Sequence, residues 1–473
     1  MASNNAVKIL EVSHVKPSSS NSVDESSPEL HLPLTFSDIF NLKFPAVQGI
    51  CFYNPTDSTP TFFNLEILPK LKHSLSLALS HFLPLSGYLT WPPNSVKPII
   101  TYNTLDDGIE LTVAESSAEF DILYCEVRDA IRSHPYVSEL SMSDTKASIL
   151  AVQITLFPNK GFCIGHTSNH AILDGVSTSI FLNAWAYICK QLVYEKTGNP
   201  STTLPKELTP FFDRTVVQDP EGLDMLYLNY WLGKQSPDSS DPRSLRPMQF
   251  PGPLPNLVRA TFEFPPEDIR KLRQMVLSQW DDFNVPEGDK NQAKPIHLST
   301  FVLTFAFTLV CMVKAKGLKG NDKVKFGFTA DCRARLDPPI QKNYIGNCVA
   351  TFDVLTEAEA LLKENGVVYV AKRLSQMIKG LENGVLRGAK ERFPRREPGV
   401  RIIRVTGSSR FGMYGADFGW GKPKNVEVTT IDNFEAFSMM ESKDESGGVE
   451  VGLVLKKDEM KIFCSLFVDG LKT

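Results

Sequence analysis

A chain of 473 residues exceeds what one ordinary core accommodates, so two large domains are expected. Its 42% hydrophobic and 22% charged content is that of a soluble globular protein. A net charge of −4 and a pI near 6.1 exclude non-specific attraction to nucleic acid or to an anionic membrane, while leaving room for local basic pockets.

Lys8 to Val15 reads as a short strand ahead of a Ser/Pro-rich loop. The N-terminus lacks a long apolar stretch, and Glu11, Asp24 and Glu25 with no early arginine argue against a secretory or organellar address. Leu65 to Leu83 has helical spacing and is stopped by Pro84 and Gly87. Ile149 to Phe157 and Phe162 to Ser168 alternate on either side of the turn signal Pro158-Asn159-Lys160-Gly161, which predicts a hairpin. From Asp174 the period changes. Val176, Ile180, Phe181, Ala184, Trp185 and Ile188 share a helical face, with Asp174 as N-cap and an end near Thr197-Gly198-Asn199-Pro200.

Residues 201–221 are Pro-rich and polar and read as a crossover between an N-terminal lobe, 1–200, and a C-terminal lobe, 222–473. Helices are expected over Pro266 to Trp280, Ser299 to Lys314 and parts of Glu357 to Leu381, with a strand over Val324 to Arg335. The longest apolar run, Phe301 to Val313, has the length of a buried helix rather than a membrane span. Val449 to Leu455 and Lys461 to Phe467 both alternate and suggest a C-terminal hairpin. Eight cysteines are scattered without a CxxC pair, which fits reduced thiols in a cytoplasmic protein. Strands and helices mix throughout, so the fold class is α/β.

Three segments carry chemistry. In the first, His166, His170 and Asp174 are spaced four apart, as metal ligands on a helix would be. His166, however, sits in an alternating strand, where residues four apart are about 13 Å distant, and the glutamate of an HExxH site is missing. No metal is expected. With no GxSxG elbow present, His170 is cast as a base acting directly on a bound alcohol rather than on a serine. P-loop and dinucleotide fingerprints are also absent. A bare HxxxD is usually an ordinary histidine and a helix cap; the strand–His–Asp-Gly–helix context raises its weight.

The second segment is Asp331-Cys332-Arg333-Ala334-Arg335. Strand alternation would put Asp331, Arg333 and Arg335 on one side of a buried strand, where charges need partners. Either a solvated edge or an arginine holding the carboxylate of Asp174 fits that pattern. The third, Asp417-Phe418-Gly419-Trp420-Gly421, specifies a tight irregular loop and offers no obvious catalytic group.

Together these segments resemble the plant BAHD acyltransferases. His170-Ala171-Ile172-Leu173-Asp174-Gly175 matches that family's HxxxDG motif, and Asp417-Phe418-Gly419-Trp420-Gly421 its DFGWG motif. Leu34-Thr35-Phe36-Ser37-Asp38, His81-Phe82-Leu83-Pro84-Leu85-Ser86-Gly87 and Pro210-Phe211-Phe212-Asp213-Arg214 agree with it, so the resemblance spans nearly the whole chain. Asn343-Tyr344-Ile345-Gly346-Asn347-Cys348 is similar to the YFGNC signature of the flavonoid and phenolic-glucoside branch, with Ile345 in place of phenylalanine.

The resemblance implies two similar-sized lobes like those of chloramphenicol acetyltransferase, mixed sheets flanked by helices, and a channel between them. It implies His170 as general base, Asp174 turned away and paired with Arg333 in preference to Arg335, and a DFGWG loop (Asp417, Gly419, Trp420, Gly421) serving structure and the CoA side. A strand from about 425 to 442 should return to the N-terminal lobe. No bound cofactor is implied, only an acyl-CoA co-substrate, malonyl-CoA favoured, with a phenolic, flavonoid or anthocyanin glycoside as acceptor. A hydroxycinnamoyl donor and a catalytically silent ligand-binding relative are the alternatives. The Trp420 indole is a candidate oxyanion donor. A monomer is implied, with neither nucleic-acid nor membrane partners.

Overall fold

The alternating segments around Pro158 form the expected antiparallel hairpin, Leu150–Phe157 with Gly161–Ser168, buried along its whole length. Asn159 takes the left-handed turn position at φ 62° that asparagine tolerates. The computed structural model describes residues 7–18, 29–104, 107–123, 127–194, 203–234, 242–248, 256–280, 298–393 and 397–472. The expected stop at Thr197-Gly198-Asn199-Pro200 lies outside them.

Among the described residues the strands form sheets of six, seven and four. The six-stranded sheet runs Val7–Val15, Ile109–Ser116, Leu150–Phe157, Gly161–Ser168, Val47–Tyr53 and Asn425–Val428. Its last strand comes from the far end of the chain and pairs antiparallel with Val47–Tyr53. The seven-stranded sheet runs Val349–Glu357, Lys323–Asp331, Val400–Thr406, Ala436–Glu441, Val449–Lys456, Leu257–Phe264 and Arg128–Asp129. Each half of the chain therefore lends a strand to the other half's sheet. The helices Leu68–His81 and Gly175–Tyr194 pack together, with the Trp185 indole donating to Ser74 Oγ at 3.0 Å. Thr300–Ala315, apolar nearly all round, fills the second core, capped by Ser299.

Four expectations need correction. The strand expected over 425–442 is two strands in different sheets, Asn425–Val428 and Ala436–Glu441, separated by a helical turn at Thr429–Asn433. Lys457–Lys472 is a helix, not the second arm of a hairpin. Ile462, Cys464 and Leu466 alternate by coincidence, while Met460, Phe463, Phe467 and Leu471 fall on one helical face and are the residues buried. Asp458 and Glu459 in its first turn and Lys472 in its last complement the helix dipole. The strand expected to reach Arg335 ends at Asp331 and tightens into a helical turn over Arg333–Arg335, so Arg333 points inward and Arg335 outward. Finally, the chain beyond 221 stays against its N-terminal half. Trp231 of the Leu223–Leu232 helix donates to the Ile39 carbonyl at 2.8 Å, and Met248 N–H to that of Lys43 at 2.9 Å.

Candidate active site

The Gly161–Ser168 strand stops where Asn169 folds the chain back. The Asn169 side chain accepts from Ala171 N–H at 3.0 Å, and its carbonyl from Ile172 N–H at 2.9 Å, an Asx-type turn that presents His170 at its apex. Asp174 then caps the Gly175–Tyr194 helix through Oδ1 to Ser177 N–H at 2.8 Å.

The Arg333 guanidinium reaches Asp174 in a two-pronged pair, Nη1 to Oδ2 at 2.9 Å and Nη2 to Oδ1 at 3.1 Å. Arg333 also donates to Asp331 and to the carbonyls of Tyr344 and Gly346, which satisfies a cation only 1% exposed. Cys348 N–H adds a further bond to Asp174 Oδ2 at 3.1 Å. Burial pushes the Asp174 carboxyl up, but the Arg333 charge, its hydrogen bonds and the two backbone donors outweigh that and hold it below its ordinary value. Both oxygens are thus committed to Arg333 and backbone; neither bonds to His170.

His170 keeps its imidazole neutral by a different route. Burial lowers its pKa, and its own backbone and the Asp174 charge oppose that only in part. Nδ1 is buried and, among the described residues, has no partner outside its own residue. The Phe44 ring lies 5.9 Å from the imidazole. The His170 carbonyl accepts from Asn347 Nδ2 at 2.9 Å, and the same nitrogen bonds Asp38 Oδ1 at 3.1 Å. Asp38 is itself part of a capping box with Thr35 and faces Arg214 at 3.4 Å. Arg214 donates to the Tyr344 hydroxyl at 2.7 Å. Gly346, at φ 153°, has no room for a Cβ, which would stand 1.8 Å from the Arg214 guanidinium. Ser177 Oγ bonds both N–H and C=O of Gly346 at 3.0 Å. Segments 34–38, 170–175, 210–214 and 343–348 therefore close one knot around the base of the His170 turn.

Beside this knot lies a recess lined by Phe36, Phe40, Tyr227, Val349, Leu386 and Arg392, among others. Phe40 stacks on Phe44 at 6.3 Å, so the recess is one ring removed from His170.

Asp417 ties its own loop. Oδ1 accepts from the N–H groups of Gly419 and Gly421 at 2.8 and 3.0 Å, and Oδ2 pairs with Lys190 at 2.8 Å. Phe418 packs edge-on to Trp185 at 4.8 Å. A Cβ at Gly419 would strike Val193, so the loop sits at the C-terminal end of the Gly175–Tyr194 helix, about 27 Å along its axis from Gly175. That distance removes the Trp420 indole as an oxyanion donor beside His170. The loop instead delivers Asn425–Val428 into the first sheet. His166 lies in the Gly161–Ser168 strand with its ring over Gly49. With Asp174 consumed by Arg333, the third member of the imagined metal triad is unavailable.

Residues 6–468 match the family model described as Transferase family. The chain is 40% identical over 479 residues to "Phenolic glucoside malonyltransferase 1" of Arabidopsis thaliana, covering 99% of this chain and 98% of that protein. It is 42% identical over 487 residues to "Malonyl-CoA:anthocyanidin 5-O-glucoside-6''-O-malonyltransferase" of the same plant, covering 99% of each. The chain belongs to the BAHD acyltransferase family. Its fold is that of vinorine synthase, with a TM-score of 0.65 at 21% identity over 97% of this chain and 98% of that one.

Within this BAHD chain, reading the sequence located His170, Asp174 and the arginine-bearing segment but gave no task to Asp38, Asn347, Ser177 or Tyr344. Asp38 and Asn347 are 309 residues apart. Their motifs stood out as matches, yet nothing local in either signals the other.

Proposed function

We propose that the chain transfers a malonyl group from malonyl-CoA to a sugar hydroxyl of a phenolic, flavonoid or anthocyanin glycoside, with His170 as general base. The observation that carries this reading is a neutral imidazole whose acidic neighbour is held by Arg333. With the proton on Nδ1, Nε2 holds the lone pair that accepts one. A sugar hydroxyl does not ionise near neutral pH, so Nε2 takes its proton as the oxygen attacks the thioester carbonyl. Such base catalysis contributes about 10²–10⁴-fold. The new C–O bond forms, the C–S bond breaks, and the departing CoA thiolate takes the proton back from His170. No covalent acyl-enzyme intervenes and kinetics are sequential.

The names of the Arabidopsis relatives support malonyl as the donor and a glucoside as the acceptor. Among the described residues no helix is long and apolar enough to cross a membrane, which accords with small dissolved substrates. Steady-state rates with malonyl-CoA and coumaroyl-CoA against one panel of phenolic glucosides test the reading. Malonyl transfer should dominate; a preference for coumaroyl-CoA reverses the donor assignment, and no glycoside-dependent thioester cleavage makes the chain a silent binder.

A further inference from the structure

The strand that delivers His170 carries a second imidazole. Strand parity puts His166 and Ser168 on one face, and two more residues reach His170. The adjacent strand keeps step, with Gly49 opposite His166 and Val47 opposite Ser168, and just before it the Phe44 ring meets His170. Gly49 is what lets the His166 ring lie flat across the sheet. A Cβ there would stand 2.5 Å from Cε1 and 3.0 Å from Nε2 of the imidazole.

His166 is 5% exposed and Ser168 fully buried. Among the described residues, neither ring nitrogen of His166 nor the Ser168 hydroxyl has a hydrogen-bond partner. Buried polar groups normally take a partner from protein, water or ligand. Their neighbours on this face, Leu150, Val152, Val47 and Val428, are apolar and offer none. Burial lowers the His166 pKa to about 4, so the ring is neutral at pH 7 and retains one N–H to donate. Two unspent donors suit a ligand that supplies acceptor oxygens.

We propose that His166 and Ser168 form the subsite for the far end of the acyl group, and that they select an acyl chain ending in a carboxylate. This rests on His170 being the base. Ser168 and His166 precede His170 by two and four residues, with the Asn169 turn between them and it. His166, on the strand side of that turn, is placed for a group carried beyond the reacting carbonyl. Both donors would hold the carboxylate by directed hydrogen bonds.

Calorimetric binding of malonyl-CoA and acetyl-CoA, paired with kcat/KM for each on one phenolic glucoside, tests this in the wild type, His166→Leu, His166→Gln and Ser168→Ala. Leucine still fills the space over Gly49 but cannot donate; glutamine can. The malonyl-over-acetyl ratio should fall about 10–100-fold in His166→Leu, the loss expected for a hydrogen bond to a charged group. Glutamine should restore part of it, and Ser168→Ala should lower it by a smaller factor. Equal losses for both donors, an unchanged ratio in every variant, or a wild type that binds the two alike each overturn the proposal. Should a leucine variant not fold, the glutamine and Ser168 variants still read the ratio. Because binding is measured without turnover, selective binding with no transfer would count against His170 as base and not against this subsite.

Discussion

At the scale of the residue, one imidazole is kept neutral by where it is rather than by what it touches. No carboxylate hydrogen-bonds to His170; burial lowers its pKa, and the Asp174 charge opposes that only in part. The pH dependence follows with a definite sign. The neutral form is the working form, so kcat/KM should rise as His170 loses its proton and be flat from neutrality upward. Its acid inflection should lie below the ordinary histidine value of about 6.5. A profile measured with a glucoside that does not titrate in this range checks it; an inflection above 6.5 would mean that Asp174 or another acid stabilises the imidazolium.

At the scale of the element, the unit is a turn clamped between a strand, a helix and a distant loop. Arg333 fastens Asp174 at the head of the Gly175–Tyr194 helix to the carbonyls of the 344–346 loop. Replacing it with methionine leaves the Asp174 carboxylate buried without its countercharge and should cost about 3–5 kcal/mol. Urea unfolding of Arg333→Met measures this, and a loss under 1 kcal/mol contradicts the clamp. An Asp174→Asn protein with unchanged Tm and no turnover would instead make Asp174 a partner in catalysis. The turn itself was legible, because the shift from period two to period 3.6 brackets His170 with a cap and a glycine. The inward aim of Arg333 was not: strand alternation was extended past Asp331, where the backbone tightens. The C-terminal helix was misread for a related reason, since Lys461 to Phe467 satisfies both periods and only burial of Phe463 and Phe467 decides between them.

At the scale of the whole molecule, the two halves interlock. Asn425–Val428 completes the first sheet, and Arg128–Asp129 extends the second. Where these borrowed strands cross, Glu427 is buried against Arg128 and Arg259, while Ser133 and Asn425 each donate to it at 2.9 Å. Asp432 takes the remaining charge of Arg259 and bonds His134 at 2.8 Å. Glu427→Gln should destabilise the protein by about 3–5 kcal/mol by stranding buried guanidinium charge. A thermal or urea transition shifted by less than 1 kcal/mol would show that the cluster does not hold the halves together. The mixed α/β class was visible in the order of elements. Strand exchange entered only as the return near 425 that the family resemblance implied, because pairing between segments hundreds of residues apart leaves no local periodic trace.

The central claim is that His170 takes the proton of a glycoside hydroxyl during transfer from an acyl-CoA. Thiol release from malonyl-CoA, followed with and without a phenolic glucoside in the wild type and in His170→Ala, tests it most directly. Release should require the glucoside. It should fall by about 10²–10⁴-fold in the variant, the range for loss of a general base, while malonyl-CoA still binds and Tm is unchanged. A His170→Ala protein that transfers malonyl at a rate near that of the wild type would contradict it.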